Sequence, residues 1–152
     1  MAASANEAAG DGLALLRRLA AEGPLPAICD TLGFRPAAFA PGRAAFEGAP
    51  GPELYNPLGT VHGGYAATLL DSAMGCAVHT LLPAGTSYVT VELKVNYVRP
   101  MTADTGRVRA EGTVIHAGRT VATAEGRLMD ADGRLYAHAT TTCLIRTGEG
   151  RP

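Results

Sequence analysis

The fold is decided by residues 65–82, which read YAATLLDSAMGCAVHTLL. The apolar positions of this stretch recur at helical spacing; they are Ala66, Leu69, Leu70, Ala73, Met74, Ala77, Val78 and Leu81. This pattern predicts a helix that is buried along most of its surface and ends before Pro83. Because no other segment is as long and as apolar, we expect this helix to lie at the centre of the domain.

The chain that follows this helix predicts strands. The residues are rich in Val, Thr and Tyr or alternate between apolar and polar, over 87–98, 105–116, 119–129 and 134–146. Hairpin loops are indicated at 116–118 and, with an Asp-Gly pair, at 130–133. We therefore expect an antiparallel meander of four long strands, wrapped around the central helix in a two-layer α+β domain.

The chain before the helix predicts shorter elements. An amphipathic helix begins at Leu13 and stops at Gly23-Pro24, and a helical turn at 28–32 ends at Gly33. Two short strands, broken at Pro41-Gly42, are expected over 34–49, and a loop over 48–59. We expect residues 1–10 to be a disordered tail and residues 11–148 to form a single domain.

Composition limits the classes of function. The 152 residues carry a net charge of −1, and their basic side chains are scattered, so no nucleic-acid partner is expected. No apolar run approaches the roughly 20 residues that cross a bilayer, so no membrane partner is expected either. The first residues lack the pattern of a secretory signal, which predicts a cytoplasmic protein.

Cysteine and histidine do not suggest a metal centre. The three cysteines, Cys29, Cys76 and Cys143, are widely spaced and form no C-x-x-C pair, so burial in the core is expected for them. The four histidines have no ligand spacing. We therefore expect no metal and no cofactor.

The segment that leads into the central helix suggests chemistry. Residues 56–65 read NPLGTVHGGY, and a glycine pair at a helix start indicates close approach of the backbone to another group. The unpaired N–H groups of a helix N-terminus suit a polarised carbonyl oxygen. A tight turn between loop and helix would explain the glycines equally well.

Asp71 is the second candidate, because an acid within so apolar a helix needs a reason. It is either a general base or nucleophile, or it faces a polar edge of the helix or pairs with an arginine. Asp71 lies about 12 Å along the helix from Gly63, too far to act on a group held there. If Gly63 and Asp71 act on the same substrate, the site requires a catalytic dimer, in which one subunit supplies Gly63 and the other supplies Asp71.

The motifs together resemble the PaaI-type acyl-CoA thioesterases of the hotdog-fold superfamily. The resemblance rests on Asn56-x-x-Gly59-x-x-His62-Gly63-Gly64, on Asp71, and on 96–100 and 116–120, in the expected order between about Leu32 and Ile145. It implies an antiparallel sheet wrapped around a long helix, sheets paired into dimers, and in most members tetramers. It also implies an enzyme that hydrolyses an acyl-CoA or aryl-CoA thioester.

The resemblance assigns roles to individual residues. Asp71 would activate water or attack the thioester, and Gly63 would donate its N–H to the thioester oxygen. His62 and Asn56 would shape the loop, and Thr90 would help to place the water. The positions that would contact coenzyme A are Gly64, Arg99, Arg119 and Thr120.

Other interpretations remain open at this point. The chain would alternatively be a module that binds or senses acyl-CoA without hydrolysing it, or, less favoured, a hydratase on the same fold. Ser72 and Cys76 lack the sequence context of a nucleophile, so packing roles are expected. The acyl pocket is expected to involve Leu69, Met74, Tyr65 and Tyr88.

Overall fold

A computed structural model describes residues 10–147 of the chain. Its helices are α1 (Gly10–Glu22), α2 (Ala27–Leu32) and α3 (Gly63–His79). Its strands are β1 (Phe34–Ala40), β2 (Arg43–Gly48), β3 (Thr86–Tyr97), β4 (Val108–Ala117), β5 (Val121–Asp130) and β6 (Leu135–Thr147). Two short 3₁₀ turns occupy Pro52–Leu54 and Ala103–Thr105. The α+β class and the long central helix are confirmed.

The six strands form one antiparallel sheet in the order β1-β2-β4-β5-β6-β3. The expected meander of four consecutive strands is therefore wrong in one respect, because β3 pairs with β6 rather than with β4. The connection from β3 to β4 contains Pro100 and a 3₁₀ turn, and it is too long for a tight hairpin. β4, β5 and β6 do form a meander, and β3 becomes an edge strand.

Two facing glycines let α3 pack closely on this sheet. Gly112 of β4 and Gly126 of β5 are register partners. A Cβ on Gly112 would lie 2.5 Å from the Ala73 carbonyl oxygen, and one on Gly126 would lie 3.0 Å from Cγ of Met74. Side chains at either position would push the helix away from the sheet. Leu69, Leu70 and Met74 of α3 are fully buried as a result.

The helices at the start of the chain lie against one end of this core. The Gly12 N–H of α1 donates to the Leu82 carbonyl at 3.2 Å, and a Cβ on Gly12 would overlap the carbonyl oxygen of His79. Arg17 donates from Nη2 to the Phe39 carbonyl at 3.0 Å. α2 ends at Gly33, whose φ of 68° is the left-handed conformation expected of a C-cap glycine.

Three further expectations concern the chain as a whole. Gly10 begins α1, whereas the rest of the expected tail lies outside the described residues. Cys29 and Cys143 are buried as expected, and Cys76 is partly buried. Within residues 10–147, none of the helices has the length and apolarity needed to span a bilayer.

Candidate functional site

The loop before α3 is organised by Asn56. Its Oδ1 accepts hydrogen bonds from the backbone N–H of Leu58 at 2.9 Å and of Thr60 at 3.2 Å. Its Nδ2 donates to Thr60 Oγ1 at 3.0 Å. These bonds fold the segment into a compact turn, and a bridge between Tyr55 and Val61 closes it. Asn56 thus fixes the direction in which the chain enters α3.

His62 caps the N-terminus of α3. Its Nδ1 accepts from the Gly64 N–H at 2.8 Å, so this nitrogen is the unprotonated one in this arrangement. A Cβ on Gly64 would lie 2.8 Å from the same Nδ1, which explains why glycine is needed there. Among residues 10–147, no acceptor bonds to the N–H of Gly63. The cap thus satisfies Gly64 and leaves the Gly63 donor available.

Gly63 lines a cavity of about 410 Å³, which we call the Gly63 cavity. The Tyr97 hydroxyl donates to the Gly63 carbonyl at 3.0 Å, and a Cβ on Gly63 would lie 3.0 Å from the Tyr97 ring. Arg99 also lines this cavity, and its guanidinium stacks over Tyr136 at 5.6 Å from the ring centroid. The cavity thus combines a helix N-terminus with one cation, which suits an anionic or polarised ligand group.

Asp71 lies farther along α3 and lines a different cavity. Its Oδ1 accepts a hydrogen bond from Thr90 Oγ1 of β3 at 3.0 Å. The space beside it measures about 200 Å³ and is called here the Asp71 cavity. Apolar side chains dominate its lining; they include Leu16, Leu19, Ile28, Phe34, Phe39 and Phe46. A carboxylate held by a hydroxyl beside an apolar cavity is suited to activating water next to an apolar substrate group.

Comparison with known proteins identifies the family. The family model described as the thioesterase superfamily matches residues 58–137, which include Gly63, Asp71 and Thr90. The chain belongs to the thioesterase superfamily. A candidate esterase of Pseudomonas aeruginosa is 30% identical over 125 residues, which cover 82% of this chain and 85% of that protein. One of Halobacterium salinarum is 44% identical over 69 residues, so the match spans 44% of the length of each.

Solved structures agree with this assignment. A candidate thioesterase from Ralstonia eutropha, described as related to phenylacetic acid degradation, is 33% identical with a TM-score of 0.75, covering 85% of this chain and 97% of that one. A mutant of the phenylacetic acid degradation protein PaaI from Thermus thermophilus is 30% identical with a TM-score of 0.71, covering 78% and 98%. The chain is thus a PaaI-type hotdog protein.

The thioesterase-superfamily chain brings its predicted site residues together in two groups. Asn56, Gly63 and Arg99 line the Gly63 cavity, next to the His62 and Gly64 cap. Asp71 and Thr90 form the second group. Arg119 and Thr120 lie in the turn between β4 and β5 and line neither cavity. Their contact with coenzyme A stays a prediction.

The sequence missed other residues of these groups. Tyr97 was part of a recognised motif, but nothing in its spacing indicated a bond to Gly63, which lies 34 positions earlier. The lining contributed by α1 and α2 was also missed, since an amphipathic pattern does not say which surface a helix covers. Of the expected acyl-pocket residues, only Tyr88 lines the Asp71 cavity, whereas Leu69, Met74 and Tyr65 are buried in the core.

The other polar side chains beside Asp71 are held in their neutral forms. Burial, with smaller effects of Cys29 and Asp71, raises the pKa of Cys76 to about 12. Burial, followed by the neighbouring Cys76 and Asp71, also raises the pKa of Tyr88 above its usual 10.0. A thiol with so high a pKa is a poor nucleophile near neutral pH. This agrees with a packing role for Cys76.

Proposed function

We propose that this chain hydrolyses acyl-CoA thioesters to a free acid and coenzyme A, with Asp71 as the residue that activates or delivers the nucleophile. The observation that carries the proposal is the Asp71 carboxylate, which accepts a hydrogen bond from Thr90 at 3.0 Å and lines a mainly apolar cavity. Membership of the thioesterase superfamily supports the reaction type. The acyl group occupies the Asp71 cavity in this proposal.

The chemistry needs few groups. A water oxygen bonds to the thioester carbon while its proton passes to the Asp71 carboxylate. The Gly63 N–H stabilises the negative charge that develops on the carbonyl oxygen. The carbon–sulfur bond then breaks, the thiolate leaves with the bonding electrons, and it takes up the proton. Arg99 of the Gly63 cavity offers a cation for the phosphates of coenzyme A.

The alternative is direct attack of Asp71 on the thioester, which forms an acyl anhydride that water hydrolyses later. The two routes differ in where the oxygen of water enters. One turnover in ¹⁸O-labelled water places the label in the released acid if water attacks the thioester. In the anhydride route, water that attacks the carboxyl carbon of Asp71 leaves the label in the protein, where mass spectrometry detects it.

The site requires two subunits. Gly63 and Asp71 lie eight residues apart on α3 and line separate cavities, and eight residues of helix span about 12 Å. A thioester carbonyl at Gly63 of one subunit is therefore attacked with the help of Asp71 from a second subunit. A homodimer is the smallest active unit in this proposal, and a tetramer would consist of two such dimers.

The first test is the Asp71→Asn variant, which keeps the size of the side chain and removes its charge. We expect release of coenzyme A thiol from acyl-CoA to fall by at least about 10²-fold, because proton transfer to a positioned base contributes about that much. Asp104→Asn is the matched control, since Asp104 is exposed on the 3₁₀ turn before β4. Turnover near that of the control would remove Asp71 from the mechanism, and tight binding without hydrolysis in the unchanged protein would favour a sensing module.

A further inference from the structure

One wall of the Asp71 cavity is formed by residues that take no part in the proposed reaction. Leu16 and Leu19 of α1 and Ile28 and Cys29 of α2 line this cavity together with Asp71. The family model begins only at residue 58, so neither helix belongs to the segment that identifies the family. The two helices therefore contribute a wall of the proposed acyl site that lies outside the matched segment.

The wall is fixed in place by contacts at separate points of α1. Gly12 at its start is bonded to Leu82 beyond the end of α3, and Leu13 is only 5% exposed. One turn later, Arg17 is bonded to the backbone of Phe39 in β1. Because α1 is bonded both to the segment after α3 and to β1, Leu16 and Leu19 have a defined position.

The size and polarity of the cavity limit what it can accept. Its volume is about 200 Å³. Since an engineered cavity of about 150 Å³ is filled by benzene, this space holds a group of roughly eight carbon atoms. Asp71 is the only charged residue among those lining it, and none is cationic. An acyl group ending in a carboxylate would find no cation there and would lie beside the Asp71 carboxylate.

We infer that α1 closes the far side of the acyl cavity, and that Leu16 and Leu19 set the upper limit on acyl length at about eight carbons. The substrates are then coenzyme A thioesters of short to medium, uncharged, apolar acids. This inference rests on the proposed function, because it takes the Asp71 cavity as the place of the acyl group. Longer acyl chains would overlap with the side chains of Leu16 and Leu19 and are therefore excluded.

The test measures binding separately from hydrolysis. S-alkyl thioethers of coenzyme A, which cannot be hydrolysed, are titrated calorimetrically with chains of about four to fourteen carbons. Affinity is expected to rise about fourfold for each added methylene and to stop rising near eight carbons. Leu19→Ala should move that limit to about ten or eleven carbons, because it removes three carbons from the wall.

Two further variants control this experiment. Leu19→Phe enlarges the same side chain and should shorten the limit by about one or two carbons, so the inference remains testable if the alanine variant folds poorly. Leu15→Ala is the matched control, since Leu15 lies on the same helix but lines a separate cavity beside His79. Its length limit should equal that of the unchanged protein.

The outcomes separate the two proposals. The inference is supported if the chain-length limit changes in the Leu19 variants and not in Leu15→Ala. If this result is obtained but no acyl-CoA is hydrolysed, only the proposed function fails. An identical limit in the unchanged protein and in both Leu19 variants overturns the inference. An affinity that does not depend on chain length also overturns the inference. Neither result contradicts the proposed hydrolysis of acyl-CoA.

Discussion

Gly63 and its neighbour Gly64 are glycines for different reasons. Gly64 must leave room for the His62 ring, whose Nδ1 accepts its N–H. Gly63 lies against the Tyr97 ring and retains an N–H that no acceptor within residues 10–147 occupies. The turn interpretation therefore accounts for Gly64, and the interpretation as a donor for the substrate stays a prediction for Gly63.

Gly63→Pro tests the donor directly. Proline at the first position of a helix is well tolerated, and His62 already has the extended ψ of 135° that a residue before proline needs. We expect kcat to fall about 10²–10³-fold, because one donor to the carbonyl oxygen is lost. Gly63→Ala is the control, since it adds the same Cβ beside Tyr97 but keeps the N–H. Equal activity of the two variants would show that the N–H plays no part, and circular dichroism checks that both fold.

Thr90 is expected to act through Asp71 as a positioning residue. The only side-chain hydrogen bond that Asp71 accepts within the described residues comes from Thr90. Thr90→Val keeps the shape and removes the hydroxyl, so kcat should fall about tenfold or more, as expected for a hydrogen bond to a charged group. Thr90→Ser should recover most of the loss. A valine variant with unchanged kcat would contradict the role.

The sequence indicated single residues of the candidate site better than the contacts that they make. An acid in an apolar helix and a glycine pair at its start are visible as violations of local rules, and Asp71 and Gly63 each line a cavity. Tyr97 violates no such rule, because an exposed tyrosine in a strand is ordinary. Its contact with Gly63 depends on the placement of β3, which is a property of the whole sheet.

At the level of elements, the position of β3 shows where sequence reasoning stops. Strand existence and the Asp-Gly hairpin follow from local patterns, and the structure has both. Strand pairing depends on residues far apart in the sequence. β3 pairs with β6, which places Thr90 opposite Cys143 and within hydrogen-bonding distance of Asp71. The physical reason for the contact between Asp71 and Thr90 is the strand order, which local sequence patterns do not predict.

The close packing of α3 on the sheet makes a prediction about stability. A Cβ on Gly112 would lie within 2.7 Å of three backbone atoms of Ala73 and Met74, none of which can move like a side chain. Gly112→Ala should therefore lower the free energy of unfolding by about 1–3 kcal/mol, measured by urea denaturation. Thr113→Ala is the control, because Thr113 is the adjacent exposed residue of β4 and should change stability by less than about 0.5 kcal/mol. A stable Gly112→Ala protein would mean that α3 can move away from the sheet at little cost.

For the molecule as a whole, the buried thiols and phenols predict loss of stability in alkali. Burial raises the pKa of Cys76 from 9.0 to about 12 and that of Tyr65 from 10.0 to about 12. The folded chain keeps these protons at a pH where the unfolded chain releases them, so rising pH favours unfolding. The contribution is complete below about pH 9 and is lost toward pH 12, by at most about 1.4 kcal/mol per pH unit for each group.

Urea denaturation between about pH 8 and 10.5 measures this effect. Cys76→Ala removes one titrating group, so its free energy of unfolding should fall less steeply with pH than that of the unchanged protein. A slope that Cys76→Ala does not alter would show that this thiol titrates alike in both states.

The proposed assembly of the site from two subunits gives the last prediction. Asp71→Asn and Gly63→Pro each damage both sites of a homodimer, but a mixed dimer has one site with both changes and one with neither. Random pairing of equal amounts makes half of the dimers mixed, so about a quarter of the sites are intact and about a quarter of the activity should return on co-expression. Pairing Asp71→Asn with the double variant leaves no site intact and should restore nothing. If Gly63 and Asp71 served a site within one chain, neither combination would recover activity, and the 12 Å of helix between them would have to be bridged in another way.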